Sequence, residues 1–426
     1  MEQGILRSQF GAYGRMLGRP VLRRVLPAML LSAIGDGMSV VAVAWLALRT
    51  APADQAGVWT ALAVAAYTLP ATLGAAMLAR LVRGLSGTAL VSLDATLRAI
   101  ALGTIAALAI ANALAPPVYV ALLAGSSLLH AWGNAGAYTL IAELVPDEDR
   151  VTGNALLSTF IQASYVVGPA LAGGLAAWAG PGWVIGADAA TFAVLAVACR
   201  WAQTSPVPTL AVDPPPSLTQ SISPAASTAT SGTRAILGDR RLTGIIAVTC
   251  VFFFLYGPVE VALPIHIAEE VHGSAALLGT FWAVFGLGAI VGSLGAALLR
   301  RRPLLTVVSA IIIGWGAALL PLGLTDAVLP GLLGFGVGGL IYGPFNAICT
   351  ALFQRSSPPH LLSRVLATRT ALTLPSTALG TLVGGPIVAA IGGRHTLFAS
   401  SLLTIALGVL VAAVSRRGEV APSGSS

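Results

Sequence analysis

The chain has 426 residues, of which 56% are hydrophobic and only 9% charged, with a net charge of +7 and a mean hydropathy of +0.87. A soluble globular chain carries about 25% charged residues, so this one has too few polar groups to cover a water-facing surface. Soluble enzyme, nucleic-acid binder and secreted disulfide scaffold are excluded. All 23 basic residues are Arg, which removes the Lys of a phosphate-binding loop and of a Schiff base.

Taken in chain order, the apolar runs predict twelve membrane spans, each near the ~20 residues that cross a ~30 Å hydrocarbon core. In the first half they are residues 25–48, 57–79, 88–112, 117–141, 152–178 and 183–201; in the second, 242–265, 275–299, 304–324, 328–353, 365–391 and 396–415. The expected fold is all-α: a tail over 1–24, a six-helix bundle over 25–201, a second over 242–415 and a tail over 416–426. Between the bundles, residues 202–241 hold six Pro and many Ser and Thr. Such a segment buries too little apolar surface to order itself and reads as a linker. Cys199, Cys250 and Cys349 lie inside apolar runs and form neither a disulfide framework nor a CxxC pair.

Arg placement predicts the topology. With the N-terminus cytoplasmic, 19 of the 23 Arg face inside, only Arg49 and Arg394 face outside, and Arg98 and Arg369 are intramembrane. This is a strong positive-inside bias, and it explains the net charge without nucleic acid. Both termini are therefore expected in the cytoplasm. Arg23 and Arg24 before an apolar run resemble a secretion signal, but that run is about 24 residues long, contains Asp36 and lacks a cleavage site. Trp59, Trp178 and Trp183 fall at predicted outer helix ends, as an aromatic belt requires.

The halves resemble each other at an offset near 215 residues. "LGAAMLAR" (73–80) matches "LGAALLRR" (294–301), "GNAGAYTL" (133–140) matches "FNAICTAL" (345–352), and "DRVTGNAL" (149–156) matches "SRVLATRT" (363–370). Six spans per half make the repeats parallel, related by an axis along the membrane normal, with a site expected near the midplane.

Several strings carry a family resemblance: "AIGDGMSVVAVAWLAL" in span 1, "ELVPDEDRVTGNAL" entering span 5, "YVVGPALAGGLAAWAG" within it and "GLIYGPFNAI" in span 10. With twelve spans, a central linker and parallel halves, the chain resembles the major facilitator superfamily, drug:proton antiporter branch, which includes multidrug, macrolide and siderophore exporters. Gly168, Pro169, Gly173 and Gly174 are similar to the antiporter signature. The chain departs from the family pattern after Gly74, where Leu78 stands in place of an Asp, and in span 4, where His130 is the nearest titratable group to an expected Arg.

Ionisable groups at mid-bilayer cost about 2.5–3.5 kcal/mol on insertion scales, which makes them functional candidates. Asp36 lies near the middle of span 1 on a stripe with Ser32 and Ser39, and it is the expected proton carrier. Glu260 on span 7, with Tyr256 one turn earlier, and His130 are candidate second sites. Asp94 and Arg98, at i and i+4 in span 3, are expected to pair. Asp188 is expected at the outer end of span 6 and Arg369 to reach the cytoplasmic surface. Ser127, His130, Asn134 and Tyr138 form a polar face on span 4, and Tyr342, Asn346 and Thr350 form one on span 10. These faces, with Gln162 and Tyr165 of span 5, are expected to line a substrate cavity. Gly168–Pro169 and Gly385–Pro386 are expected to let spans 5 and 11 bend. His266, His272, His360 and His395 have no metal-ligand spacing, so neither a metal nor a cofactor is expected.

The sequence therefore points to a non-enzymatic, proton-coupled exporter of amphipathic drug-like small molecules, a multi-pass monomer in a bacterial cytoplasmic membrane whose partners are substrate, protons and lipid. A siderophore or other natural-product exporter is the alternative, with a nutrient symporter behind it. A non-transporting membrane protein is the rival of a different class.

Overall fold

The computed structural model describes residues 18–82, 84–204, 239–295, 299, 303–356 and 362–420. Among the described residues every regular element is helical, the outcome lipid demands because a helix satisfies its own backbone polar groups. Most of the linker (205–238), both chain ends and Arg7, Arg15, Arg83, Arg234, Arg300, Arg301 and Arg302 lie outside the described residues.

Eleven helical stretches are long and apolar enough to cross a membrane. Span 4 is instead two helices, Pro116–Ser127 and His130–Leu144, of 12 and 15 residues, each too short to cross alone. Span 2 breaks likewise into Ala56–Thr68 and Pro70–Met77, where Pro70 supplies no N–H. Span 10 divides into Val328–Tyr342 and Phe345–Ser356 around Gly343 and Pro344.

The helices group into two compact units. One holds the described residues of Met1–Leu46 and Ala66–Pro224; the other holds those of Ala47–Ala65 and Ala225–Ser426. The first part of span 2 thus groups with the second repeat.

Within each unit the spans choose equivalent partners. Span 3 packs on span 6, and span 9 on span 12; span 2 meets span 4, and span 8 meets span 10. Span 1 crosses span 5 where Gly37 meets Gly168, and span 7 crosses span 11 where Gly257 meets Gly380. A Cβ on Gly168 would sit 2.5 Å from the Gly37 carbonyl carbon, and one on Gly257 2.5 Å from that of Gly380. Only glycine lets backbones approach this closely. The Gly168–Pro169 pair is therefore a tight helix crossing, and the helix Asp147–Ala179 runs on through Pro169. Gly173 is buried, whereas Gly174 is exposed with open space around its Cα.

Candidate functional site

In the first unit the helix Pro20–Thr50 presents Asp36 between two glycines. A Cβ on Gly35 would lie 2.3 Å from Thr191 Oγ1, and one on Gly37 2.3 Å from the Ser164 carbonyl oxygen. The Gly-Asp-Gly sequence thus draws spans 5 and 6 onto span 1 and fixes the carboxylate between its neighbours. Asp36 Oδ1 accepts from the Tyr67 hydroxyl and lies 2.9 Å from Arg98 Nη2. The Arg98 side chain is 1% exposed and that of Asp36 32%. One partner is sealed in protein while the other is a third exposed.

The remaining surroundings of Arg98 are equally specific. Its guanidinium lies over the rings of Phe192 and Tyr67, 4.5 and 5.1 Å from their centroids, an arrangement in which the ring faces attract the cation. Nη1 is 3.0 Å from His130 Nδ1. Arg can only donate, so Nδ1 accepts, while Nε2 lies 3.2 Å from Asn134 Nδ2. His130 Nδ1 is also 3.8 Å from Asp94 Oδ2. Asp94 Oδ1 and Arg98 Nε have no hydrogen-bond partner.

Asp94 and Arg98 therefore do not form the expected pair: the guanidinium turns to Asp36 of span 1. Asp94 packs against Gly133, where a Cβ would stand 2.1 Å from Oδ2. Asp188 corrects a second expectation. It is fully buried, not at the interface, and accepts from the Ser39 hydroxyl, with Thr191 Oγ1 3.4 Å from Oδ1. One guanidinium stands among three carboxylates, so, His130 aside, the cluster carries two negative charges in excess when all three are ionised. Protons or a cation can neutralise that excess.

Several residues expected to line a cavity are spent elsewhere. Ser32, Ser39 and Ser127 are buried; Ser32 donates to the Met29 carbonyl and Ser127 to that of Ala66. Asn134, Tyr138, Gln162 and Tyr165 are exposed. Sequence reasoning missed Tyr67, which stands in span 2 with no ionisable residue near it in the chain to signal its role.

The second unit differs. Glu260 accepts from Thr381 Oγ1 at 3.1 Å and has no basic partner among the described residues. Around Tyr256 and Tyr342 lies an aromatic array. Tyr342 is stacked on Phe345 at 5.6 Å, and Tyr256 is 6.1 Å from Trp315. Phe285 lies 5.5 Å from Trp315 and 5.1 Å from Phe335. Phe252 meets Phe345 at 4.8 Å and Trp282 meets Phe335 at 5.4 Å. Of this array only Tyr256 and Tyr342 stood out in the sequence. Asn346 is exposed, but its Oδ1 accepts from Arg369 Nη2 at 3.2 Å, while Thr350 Oγ1 accepts from Nη1 at 3.1 Å. The polar stripe of span 10 thus holds Arg369.

At the end of span 7 a π-helical turn, His266–Glu270, brings together what spacing alone did not. Ligand atoms of His266, Glu270 and Asp326 lie within 4.8 Å of one another. Both acids are already engaged by Arg394, whose backbone N–H reaches Glu270 at 3.1 Å and whose Nη1 reaches Asp326 at 3.0 Å. The group is an ion-pair clamp that ties the end of span 7 to the start of span 12 and to the segment between spans 9 and 10.

A model of the Major Facilitator Superfamily matches residues 25–373. The multidrug efflux pump Tap of Mycobacterium tuberculosis is 28% identical over 405 residues, covering 91% of this chain and 91% of that protein. The uncharacterized MFS-type transporter y4rN of Sinorhizobium fredii is 28% identical over 284 residues, or 64% of this chain and 66% of that protein. Among solved structures, the crystal structure of the nucleoside transporter NupG superposes with a TM-score of 0.73 at 14% identity, covering 93% of this chain and 99% of that one; this likeness concerns the fold.

Proposed function

The chain belongs to the Major Facilitator Superfamily, a family of multi-pass membrane transporters of small molecules, and on that premise we propose that it exports amphipathic drug-like molecules in exchange for protons, by alternating access. The observation that carries the reading is the Asp36–Arg98 ion pair, with Arg98 sealed and Asp36 a third open. Protonating Asp36 removes the charge that holds Arg98 and leaves the guanidinium to Asp94 and Asp188. Losing the proton restores the pair. Span 1 is thereby biased toward one of two arrangements against spans 3 and 6, which is the bistable element a coupled transporter needs.

His130 stands next to both Arg98 and Asp94 and serves as a second proton site; a charged imidazolium gives up the Arg98 contact and turns to Asp94. Glu260, the acid of the second unit, takes a cationic group of the substrate, with Thr381 holding its carboxylate. The half-buried rings of that unit, Tyr256, Trp282, Phe285 and Tyr342, supply apolar surface for the body of a substrate; in the first unit, Asn134, Tyr138, Gln162 and Tyr165 are the exposed polar groups. The bundles of residues 25–201 and 242–415, joined by the 202–241 linker, form one monomer in the bacterial cytoplasmic membrane with both termini inside. A 28% identity with a multidrug efflux pump, over 91% of this chain, supports the substrate class.

The test is efflux of an amphipathic fluorescent dye from vesicles with and without an imposed proton gradient. In Asp36→Asn the gradient-driven component is expected to vanish while dye binding persists. Unchanged gradient-driven efflux removes Asp36 from the mechanism.

A further inference from the structure

On the first unit, a shallow, open groove of about 510 Å³ is lined by Arg24, Ala193, Val194, Val197, Ala198 and Trp201. Five of these come from one helix, Pro181–Thr204, at helical spacings that form a single stripe, and Arg24 stands at one end. The stripe covers eight residue steps, about 12 Å along the helix. Val194 and Val197 are 48% and 66% exposed, so this face lies outside the interior of the unit.

Arg24 is held with its guanidinium 3.8 Å from the centroid of the Trp201 ring. Among the described residues it has no carboxylate partner. The next arginine along, Arg200, is already engaged with Thr96 Oγ1 at 3.2 Å. Arg24 is therefore a cation at a membrane interface, oriented by an aromatic face and still able to donate to an anion. Below it the groove is walled by Ala and Val alone. A charged head at one end and a purely apolar trough along the membrane normal match the polarity of a phospholipid. Basic sites between helices at a membrane surface are of the kind that take anionic headgroups.

We propose that this groove binds one anionic phospholipid, its phosphate on Arg24 and an acyl chain along Val194, Val197 and Ala198. The site is independent of the transport reaction. It adds a lipid of defined charge to the molecule's ligands.

Native mass spectrometry of the purified, delipidated chain tests this, with phosphatidylglycerol and phosphatidylcholine of identical acyl chains as probes. The wild type is expected to retain one phosphatidylglycerol at concentrations where phosphatidylcholine is not retained. Arg24→Gln is expected to weaken phosphatidylglycerol retention by about fivefold or more, from the contribution of one cation at the surface, with Arg24→Lys falling between. Val197→Trp fills the trough without touching the cation and is expected to lose the bound lipid. Equal retention of both lipids by the wild type, or an Arg24→Gln variant that binds like the wild type, overturns the proposal. So does a Val197→Trp variant that still holds phosphatidylglycerol. A groove occupied by protein would retain neither lipid, which also overturns it.

Discussion

Beside the Gly37–Gly168 crossing of the first repeat stands Asp36; beside the Gly257–Gly380 crossing of the second, at the matching position, stands Tyr256. The divergence continues outward from that point. The first repeat surrounds the crossing with Asp94, Arg98, His130 and Asp188, whereas the second surrounds it with Trp315, Phe285, Phe335 and Tyr342. The backbone solution is shared because close packing of glycines does not depend on what lines the neighbouring space. The side chains have separated into a unit rich in buried charge and a unit rich in rings. Charge responds to protons, and rings respond to the shape and apolar area of a ligand; under the proposed function the two units therefore divide the tasks of coupling and recognition.

The largest effect that can break this comparison is expected at Arg98. Replacing it with Met leaves Asp36, Asp94 and Asp188 without their shared cation. Removing one member of a buried pair costs about 3–5 kcal/mol, because the other charge is left uncompensated. Thermal unfolding in detergent should show a clear drop for Arg98→Met and a smaller one for Asp36→Asn, whose amide oxygen still accepts from the guanidinium. An Arg98→Met variant as stable as the wild type would mean that the first repeat is not organised around charge.

Glu260→Gln sharpens the comparison with a smaller change. The Thr381 hydroxyl can donate to an amide oxygen as it does to the carboxylate, so stability should move little. Efflux should keep its dependence on the proton gradient while the concentration of dye needed for half-maximal transport shifts, by less than about tenfold for one uncharged polar substitution. If Glu260→Gln abolishes the gradient dependence as Asp36→Asn is expected to, then both repeats carry coupling and the division of tasks fails.

Spans and intramembrane charges were legible in the sequence for a simple reason. Lipid tolerates neither short apolar runs nor unsupported ionisable groups, so both stand out along the chain. Pairings were not legible. The i, i+4 rule joined Asp94 to Arg98, but it knows nothing of Asp36, 62 residues away, which competes successfully for the same guanidinium. The aromatic array comes from four spans whose rings meet only once the helices pack. Polar stripes were ambiguous in the same way: periodicity shows that residues share a face, not whether that face meets a chamber or another helix.

Ser127 gives the finest test of that last ambiguity, with the smallest expected effect. Its hydroxyl is fully buried and donates to the Ala66 carbonyl of span 2 at 3.0 Å, just before span 4 breaks at Leu128. If it serves packing alone, Ser127→Ala removes one buried hydrogen bond and lowers stability by about 1 kcal/mol, visible as a small shift in thermal unfolding. Dye affinity and gradient dependence should stay at wild-type values, because no substrate reaches the hydroxyl. A selective loss of transport at unchanged stability would return Ser127 to the cavity face. The polar side of span 4 would then continue past His130 and Asn134 toward its first half.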